Sequence, residues 1–159
     1  MAAYIKFDGV DGEAKDKGHK GWSDLLSVSQ VIHRAGAGGS GVGRQGGNAK
    51  LEDIQCSKEM DKSSNVIAEA VCVGKVYPKV EIHMTNDGVG DARQTYFKYE
   101  LKNVMISSYS VSGSPNGRPH ESFSLNFTEI KVCYIPVEDK GTKGSNVEYG
   151  WKVEEGEKA

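Results

Sequence analysis

Alternation of apolar and polar residues along most of the chain is the feature that most constrains its fold. Ile5 and Phe7 alternate with polar neighbours near the start, as do Val80, Ile82 and Met84 in the middle. Residues 22–33, 49–56 and 147–153 show similar patterns. A two-residue period is typical of strands with one buried face and one solvent face. The sequence therefore predicts a mainly β protein.

Two of the predicted strands change phase in their middle. The apolar positions pass from Leu101 to Val104 in one strand and from Phe127 to Ile130 in the other. Because a one-residue shift would turn apolar side chains to solvent, we expect a β-bulge or bend near residues 102–103 and 128–129. Bent strands that serve two sheets turn the corners of small barrels. The predicted fold is thus a compact β-barrel of two sheets.

One helix and one long loop interrupt the strands. Apolar residues between positions 63 and 73 recur at helical spacing, with Ser63 or Ser64 as a possible N-cap and Gly74 as the end. Seven glycines between Gly36 and Gly47 predict a long, flexible, glycine-rich loop. We expect one flanking α-helix on the barrel.

Composition limits the class of protein. A length of 159 residues suits a single domain, 1–159, and 37% hydrophobic with 26% charged residues is typical of a soluble globular chain. The net charge of -2 argues against a nucleic-acid partner. No apolar run approaches a membrane span, and no basic and apolar export signal opens the chain. Cys56, Cys72 and Cys133, an odd number without a CxxC pair, predict buried thiols in a reducing compartment.

The motifs that could carry chemistry have simpler explanations. Residues 41–46 match GxGxxG, but a dinucleotide site needs this motif between a strand and a helix, and here it lies in the glycine-rich loop. An acidic cluster precedes a histidine: Asp8, Asp11, Glu13, Asp16 and His19. Its spacing does not match a calcium loop, and Asp-Gly pairs are typical of turns. We predict no cofactor, no metal site and no catalytic residues.

Several segments in a fixed order resemble one known family. They are Gly12-Glu13-Ala14-Lys15-Asp16-Lys17-Gly18-His19, Ser27-Val28-Ser29-Gln30, Asp61-Lys62-Ser63-Ser64, Lys75-Val76-Tyr77-Pro78, Val104-Met105-Ile106-Ser107-Ser108, Ser124-Leu125-Asn126-Phe127 and Tyr149-Gly150-Trp151. Each is weak alone. In this order over nearly the whole chain, they make the sequence similar to the haemolysin-coregulated (Hcp) proteins of type VI secretion. The segment 115–120 departs from the family pattern because it carries two prolines.

The resemblance implies a structural function. Hcp proteins form homohexameric rings that stack into a tube inside a contractile sheath and leave the cell with a spike, without a signal peptide. The implied partners are further copies of the chain, the spike, the sheath and baseplate, and small secreted effectors carried in the ring lumen. The chain would be cytoplasmic before assembly and secreted afterwards.

The same resemblance suggests where partners would bind. If the polar stretch 107–116 faces the channel, Ser112, Ser114 and Asn116 are candidate effector contacts; an ordinary solvated hairpin is the other explanation.

In the glycine-rich loop, residues 35–48, only Val42, Arg44 and Gln45 are large enough to make assembly contacts, so we expect the loop to order against an adjacent subunit or ring.

A small-ligand- or carbohydrate-binding barrel is the alternative function. Five aromatic residues on the predicted strands could line a cavity: Trp22, Tyr109, Tyr134, Tyr149 and Trp151. Alternating aromatics in strands more often belong to the core. The oligomeric state would separate the two functions.

Overall fold

The computed structural model of the protein describes residues 1–36, 47–86, 93–137 and 143–159. It is mainly β, as predicted. The elements in chain order are β1 (Ala2–Phe7), β2 (Ser23–Leu25), β3 (Ser27–Ser29), β4 (Ile32–Arg34), β5 (Ala49–Leu51), β6 (Ile54–Glu59), α1 (Ser64–Val73), β7 (Val76–Asn86), β8 (Gln94–Ser112), β9 (His120–Asn126), β10 (Glu129–Tyr134), β11 (Val147–Lys152) and β12 (Glu157–Lys158).

Ten of these strands form one branched antiparallel sheet, and β4 and β5 form a separate pair. The main path runs β12-β11-β10-β8-β7-β1-β2, while β6 pairs with β3 and β9, and β9 pairs with β8. The expected barrel is not closed among the described strands, because β2 and β12 end this path without pairing with each other. The sheet branches at β8, whose first half pairs with β10 and whose second half pairs with β9.

Both phase changes lie where the sheet branches: β8 bends at residues 102–103, as predicted, and the second predicted strand is divided at residues 127–128 into β9 and β10. Asn103 has a left-handed backbone with φ of 49° and lies exposed between the buried residues Leu101 and Val104. Across the bend, the Thr128 backbone N–H donates to the Lys102 carbonyl at 3.1 Å. The register of β8 against β9 shifts between Ile106 and Ser108, which leaves Ser107 as an extra residue. These irregularities let one long strand keep its apolar side chains inward along both branches.

The strands predicted at 22–33 and 49–56 are each divided in the structure. The chain changes partner within both segments: β2 pairs with β1, β3 with β6, and β4 with β5. Because alternation does not identify the partner strand, the sequence could not show these divisions. Residues 35 and 47 at the ends of the glycine-rich loop stay close, since the Gly47 N–H donates to the Ala35 carbonyl at 3.1 Å.

The helix lies where the sequence places it. Gly74 ends α1 with φ of 68°, as predicted, and the Lys75 N–H donates to the Ala70 carbonyl. Ser63 occupies the N-cap position, but its hydroxyl makes no capping hydrogen bond and bonds Asp61 and Ser23 instead. The buried residues Ile67 and Ala70 pack the helix against the core.

An apolar cluster of the described residues lies inside the curved sheet. Its largest buried members include Ile5, Phe7, Tyr77, Phe123 and Leu125. Of the three free cysteines, Cys56 and Cys133 are buried, as predicted, whereas Cys72 is exposed near the end of α1. Among the described residues, no helix is long and apolar enough to cross a bilayer.

Candidate functional site

Small hydroxyl side chains cover the solvent face of the branch formed by β3, β6, β9 and β8. Strand register places Ser27, Ser57, Ser122 and Ser110 in one row across the four strands. A second row contains Ser29, Gln55, Ser124 and Ser108. We call these seven serines and Gln55 the hydroxyl face; Ser124 is buried at 3% exposure, and the others are exposed or half-buried. Residues that are paired directly across strands share one side of a sheet, so the face is continuous.

Hydrogen bonds tie the hydroxyl face together. The Ser124 hydroxyl lies 2.6 Å from that of Ser107 and 2.5 Å from that of Ser108. Asp53 accepts from the Ser107 hydroxyl at 2.6 Å and from the Asn126 amide at 2.9 Å. Because each hydroxyl can both donate and accept, the face can bond many polar groups, and the carboxylate of Asp53 lies at its edge.

A different chemistry covers the solvent face of the other branch, formed by β7, β8, β10 and β11. Lysine and glutamate side chains occupy it: Lys79, Glu81, Glu100, Lys102, Glu129, Lys131, Glu148 and Lys152. We call this the charged face. Its ion pairs include Lys79 with Glu81 at 2.7 Å and Lys102 with Glu129 at 3.3 Å. The bend at Asn103 separates the two faces along β8, so one strand presents charges on one branch and hydroxyls on the other.

The predicted effector contacts lie at the margin of the hydroxyl face. Ser112 ends β8 and pairs with His120, one row beyond Ser110. Ser114 and Asn116 are exposed in the hairpin that follows. The sequence missed Ser27, Ser57 and Ser122, because these belong to other strands and only strand pairing brings them beside Ser110. The predicted assembly contacts, Val42, Arg44 and Gln45, lie outside the described residues.

Buried polar groups hold the start of α1 in place. Lys58 has no exposed side-chain surface and contacts Glu121 at 2.5 Å and Asp61 at 2.7 Å. Glu121 also accepts from the hydroxyls of Ser64 and Tyr109. Burial and this bond to Glu121 raise the pKa of Tyr109. Ser63 and Ser64, at the start of α1, therefore help to hold the helix against the sheet.

The acidic cluster that the sequence singles out forms turns and local contacts. Asp11 bonds Lys6 at 3.0 Å, which lowers the pKa of the aspartate, and Glu13 accepts from the Lys62 N–H. Asp16 bonds His19 at 2.7 Å. A Cβ atom at Gly12 would lie 2.3 Å from the Trp22 carbonyl oxygen, so only glycine fits there.

The five aromatic residues of the alternative function do not come together in one place. Trp22 packs on His83 outside the sheet, at 4.4 Å between ring centres, whereas Trp151 packs against the core. The Tyr109 hydroxyl is bonded to Glu121. Tyr134 and Tyr149 are half exposed on neighbouring strands, with exposures of 46% and 47%. The five rings therefore do not line a common cavity.

Comparisons with known proteins agree on one family. The family model for "Type VI secretion system effector, Hcp" matches residues 4–134. The Hcp1 protein of Pseudomonas aeruginosa is 34% identical over 152 residues, which cover 94% of this chain and 93% of that protein.

Solved structures agree as well. A type six secretion system protein superposes with a TM-score of 0.90 at 27% identity and covers 100% of this chain and 99% of its own. Hcp1 of Salmonella typhimurium has the same fold, with a TM-score of 0.81 at 23% identity and coverage of 99% and 98%.

Proposed function

The chain belongs to the Hcp family of type VI secretion proteins, and we propose that it is the subunit of the inner tube of such a system. Six copies form a ring, rings stack into a tube inside the sheath and on the baseplate, and sheath contraction ejects the tube with its spike. Small effectors travel in the lumen. The subunit is made in the cytoplasm, leaves through the machine and has no catalytic role.

The hydroxyl face is the observation that carries the lumen assignment. A channel that transports varied cargo needs groups that bond many partners weakly and release them on arrival. Rows of serine meet this requirement, because small side chains leave room and hydroxyls donate or accept as the cargo demands. Isolated charges would instead bind or repel cargo according to its charge.

The charged face suits the outer wall of the ring. Its lysines and glutamates are largely paired with each other, for example Lys131 with Glu148 at 3.5 Å. Exposed pairs of this kind contribute about 0–1 kcal/mol each and weaken with salt. Contacts between such a surface and the sheath would be weak individually, as a sliding or releasing tube requires.

An exposed apolar group on β10 and β11 suits the contact between ring neighbours. Tyr134 and Val147 are a cross-strand pair, and Tyr149 lies next to them on the same face. Val147 is 65% exposed although this face continues the core side of the sheet at Ile130. A second copy is the proposed occupant, since isologous or cyclic contacts bury such surfaces and protect sheet edges.

Particle imaging and light scattering test the ring. We expect six-subunit rings at micromolar concentration, and compact monomers alone would contradict the proposal.

The amount of effector that co-purifies with the rings tests whether Ser112 and Ser114 face the lumen. Ser112→Trp or Ser114→Trp should leave rings intact and reduce the amount of co-purified effector, because the indole fills space in the channel. Lys131→Trp on the charged face is the matched control and should retain effectors. Equal retention by all three variants would remove the predicted contacts Ser112 and Ser114 from consideration while leaving the ring proposal standing.

A further inference from the structure

Four titratable side chains form a continuous hydrogen-bonded chain outside the sheet. Asp16 Oδ2 lies 2.7 Å from His19 Nδ1, and His19 Nε2 lies 3.0 Å from His83 Nδ1. His83 Nε2 lies 3.3 Å from Glu81 Oε2. Asp16 and His19 belong to the segment between β1 and β2, whereas Glu81 and His83 belong to β7. The chain therefore connects this segment to the sheet.

Aromatic rings enclose the two imidazoles. Tyr4 stacks on His19 with ring centres 4.4 Å apart and an angle of 11°, and Trp22 meets His19 edge-on at 4.9 Å. His19 is 5% exposed and Tyr4 is 1% exposed. Tyr4 also pairs directly with His83 across β1 and β7. These contacts hold the His19 ring with its two nitrogen atoms towards Asp16 and His83.

Proton counting shows what the chain requires. Three hydrogen bonds in a row need three protons, one for each link. Two ionised carboxylates and two neutral imidazoles bring only two, because a neutral imidazole carries one N–H. One link would then join two acceptors. All three links are satisfied only when the chain holds one additional proton.

The surroundings indicate which group carries the extra proton. The pKa of His83 is lowered to about 4 by burial first, then by the nearby charges of His19 and Lys98, so His83 is neutral at physiological pH. The hydrogen bond from His19 lowers the pKa of Asp16. Burial opposes ionisation of Glu81, but the hydrogen bonds and charges of Lys79 and His83 together outweigh burial and lower the pKa of Glu81. Both carboxylates are thus ionised, and His19 remains as the carrier.

We propose that Asp16, His19, His83 and Glu81 form a proton-binding site that fastens the segment between β1 and β2 to the outer face of the sheet. With the proton bound, His19 is an imidazolium that donates to Asp16 and to His83 Nδ1. His83 is the neutral tautomer that carries its proton on Nε2 and donates to Glu81. This site does not depend on the proposed ring or lumen.

Charged groups from every neighbouring element act on this site. Besides the two carboxylates in direct contact, they are Lys79 on β7, Lys98 on β8, Asp24 on β2 and Arg93 before β8. Asp16 and Glu81 favour the imidazolium at hydrogen-bonding range, whereas Lys98 opposes it at longer range. Asp16 and Tyr4 line an open cleft that also contains Arg93, so protons reach the site from solvent.

The expected pH dependence has a definite sign. The extra proton is bound at lower pH, so its contribution to holding the segment is present there and is lost once the proton leaves the chain at higher pH. Far into the acid range, below about pH 4, protonation of His83 removes the acceptor for His19 and breaks the chain again. The segment is held best between these limits.

Nitrogen NMR of the full-length protein, labelled with ¹⁵N in its histidines, tests the protonation states directly. At about pH 6 we expect a doubly protonated His19 and a neutral His83 with its proton on Nε2. The opposite assignment, a neutral His19 and a His83 proton on Nδ1 throughout the range from about pH 5 to 9, would overturn the proposal.

Limited trypsin cleavage after Lys15 and Lys17 tests the fastening, with rates normalised to a small substrate at each pH. Wild-type cleavage should rise about fivefold from pH 7 to pH 9, because the segment opens more often once the proton is lost. His19→Gln should cleave fast at both pH values, and His33→Gln, which changes an exposed histidine elsewhere, should behave like wild type. A wild-type rate that does not change with pH would contradict the proposal. If His19→Gln does not fold, the NMR assignment still decides.

Discussion

Lys58 is the buried charge on which the attachment of α1 to the sheet depends. Neither Lys58 nor Glu121 has exposed side-chain surface, and their charged atoms are 2.5 Å apart. Removing one member of such a pair leaves the other charge buried and uncompensated. We predict that Lys58→Met lowers the free energy of unfolding by about 3–5 kcal/mol, measured by urea denaturation at fixed protein concentration.

A double variant separates charge pairing from packing. Lys58→Met with Glu121→Leu removes both charges of the fully buried pair and leaves only the partly exposed carboxylate of Asp61 without its lysine, so it should recover about 2 kcal/mol or more of the loss. Lys79→Met, which breaks an exposed pair with Glu81, is the control and should cost less than about 1 kcal/mol. A double variant no more stable than the single one would show that packing, and not the unpaired charge, causes the loss.

Asn103 lies at the bend of β8, where its backbone adopts a left-handed conformation with φ of 49°. A β-branched side chain is disfavoured in the left-handed region by about 1–2 kcal/mol, whereas glycine enters it freely. Asn103→Val should therefore lower the free energy of unfolding by about that amount, while Asn103→Gly should stay within about 0.5 kcal/mol.

The glycine variant also controls for a lost side-chain bond. Both substitutions remove the Asn103 amide that donates to the Thr128 hydroxyl at 3.2 Å. Only the valine variant adds backbone strain. Equal losses in the two variants would assign the effect to that hydrogen bond instead of the bend.

The glycine-rich loop joins the two strands of the small sheet. Since Arg34 pairs with Ala49, the ends of the loop meet without help from the residues between them. Deleting residues 38–46 should leave the domain folded, because shortening a loop costs little when its ends already meet. We predict that the deletion impairs tube formation and secretion, measured by imaging and by assay of the culture medium. A deletion variant that stacks and is secreted like the parent would show that the loop is only a linker.

The bends were predictable because each one shifts the alternation of apolar and polar residues by one position, as it does between Leu101 and Val104. Whether the sheet closes into a barrel was not predictable, because alternation does not show which strand pairs with which. β8 pairs with both β9 and β10, so the sheet branches. The candidate site was predicted only in part, because strand pairing brings some of its residues together and the sequence does not show that pairing. Ser112 stood in a visible run of serines, whereas Ser27 and Ser57 reach the hydroxyl face only through pairing of β3 with β6.

At the scale of the whole molecule, the bend gives the subunit two solvent faces of different chemistry. A ring must have an inner and an outer wall, and a subunit with one face of mainly serines and one face of paired lysines and glutamates can supply both. The orientation proposed above assigns the hydroxyl face to the lumen. The natural thiols allow a direct test, since Cys72 is exposed while Cys56 and Cys133 are buried.

Cysteine probes on the two faces should report this orientation in assembled tubes. In a Cys72→Ser background, Ser110→Cys places a thiol on the hydroxyl face, and Lys131→Cys places one on the charged face, where the native side chain is 52% exposed. A maleimide on a long polymer reacts with accessible thiols and enters a narrow tube slowly. We expect labelling at residue 110 to be about tenfold slower in tubes than in dissociated subunits, and labelling at residue 131 to be similar in both states. Protection at residue 131 with free reaction at residue 110 would reverse the orientation and place the charged face in the lumen.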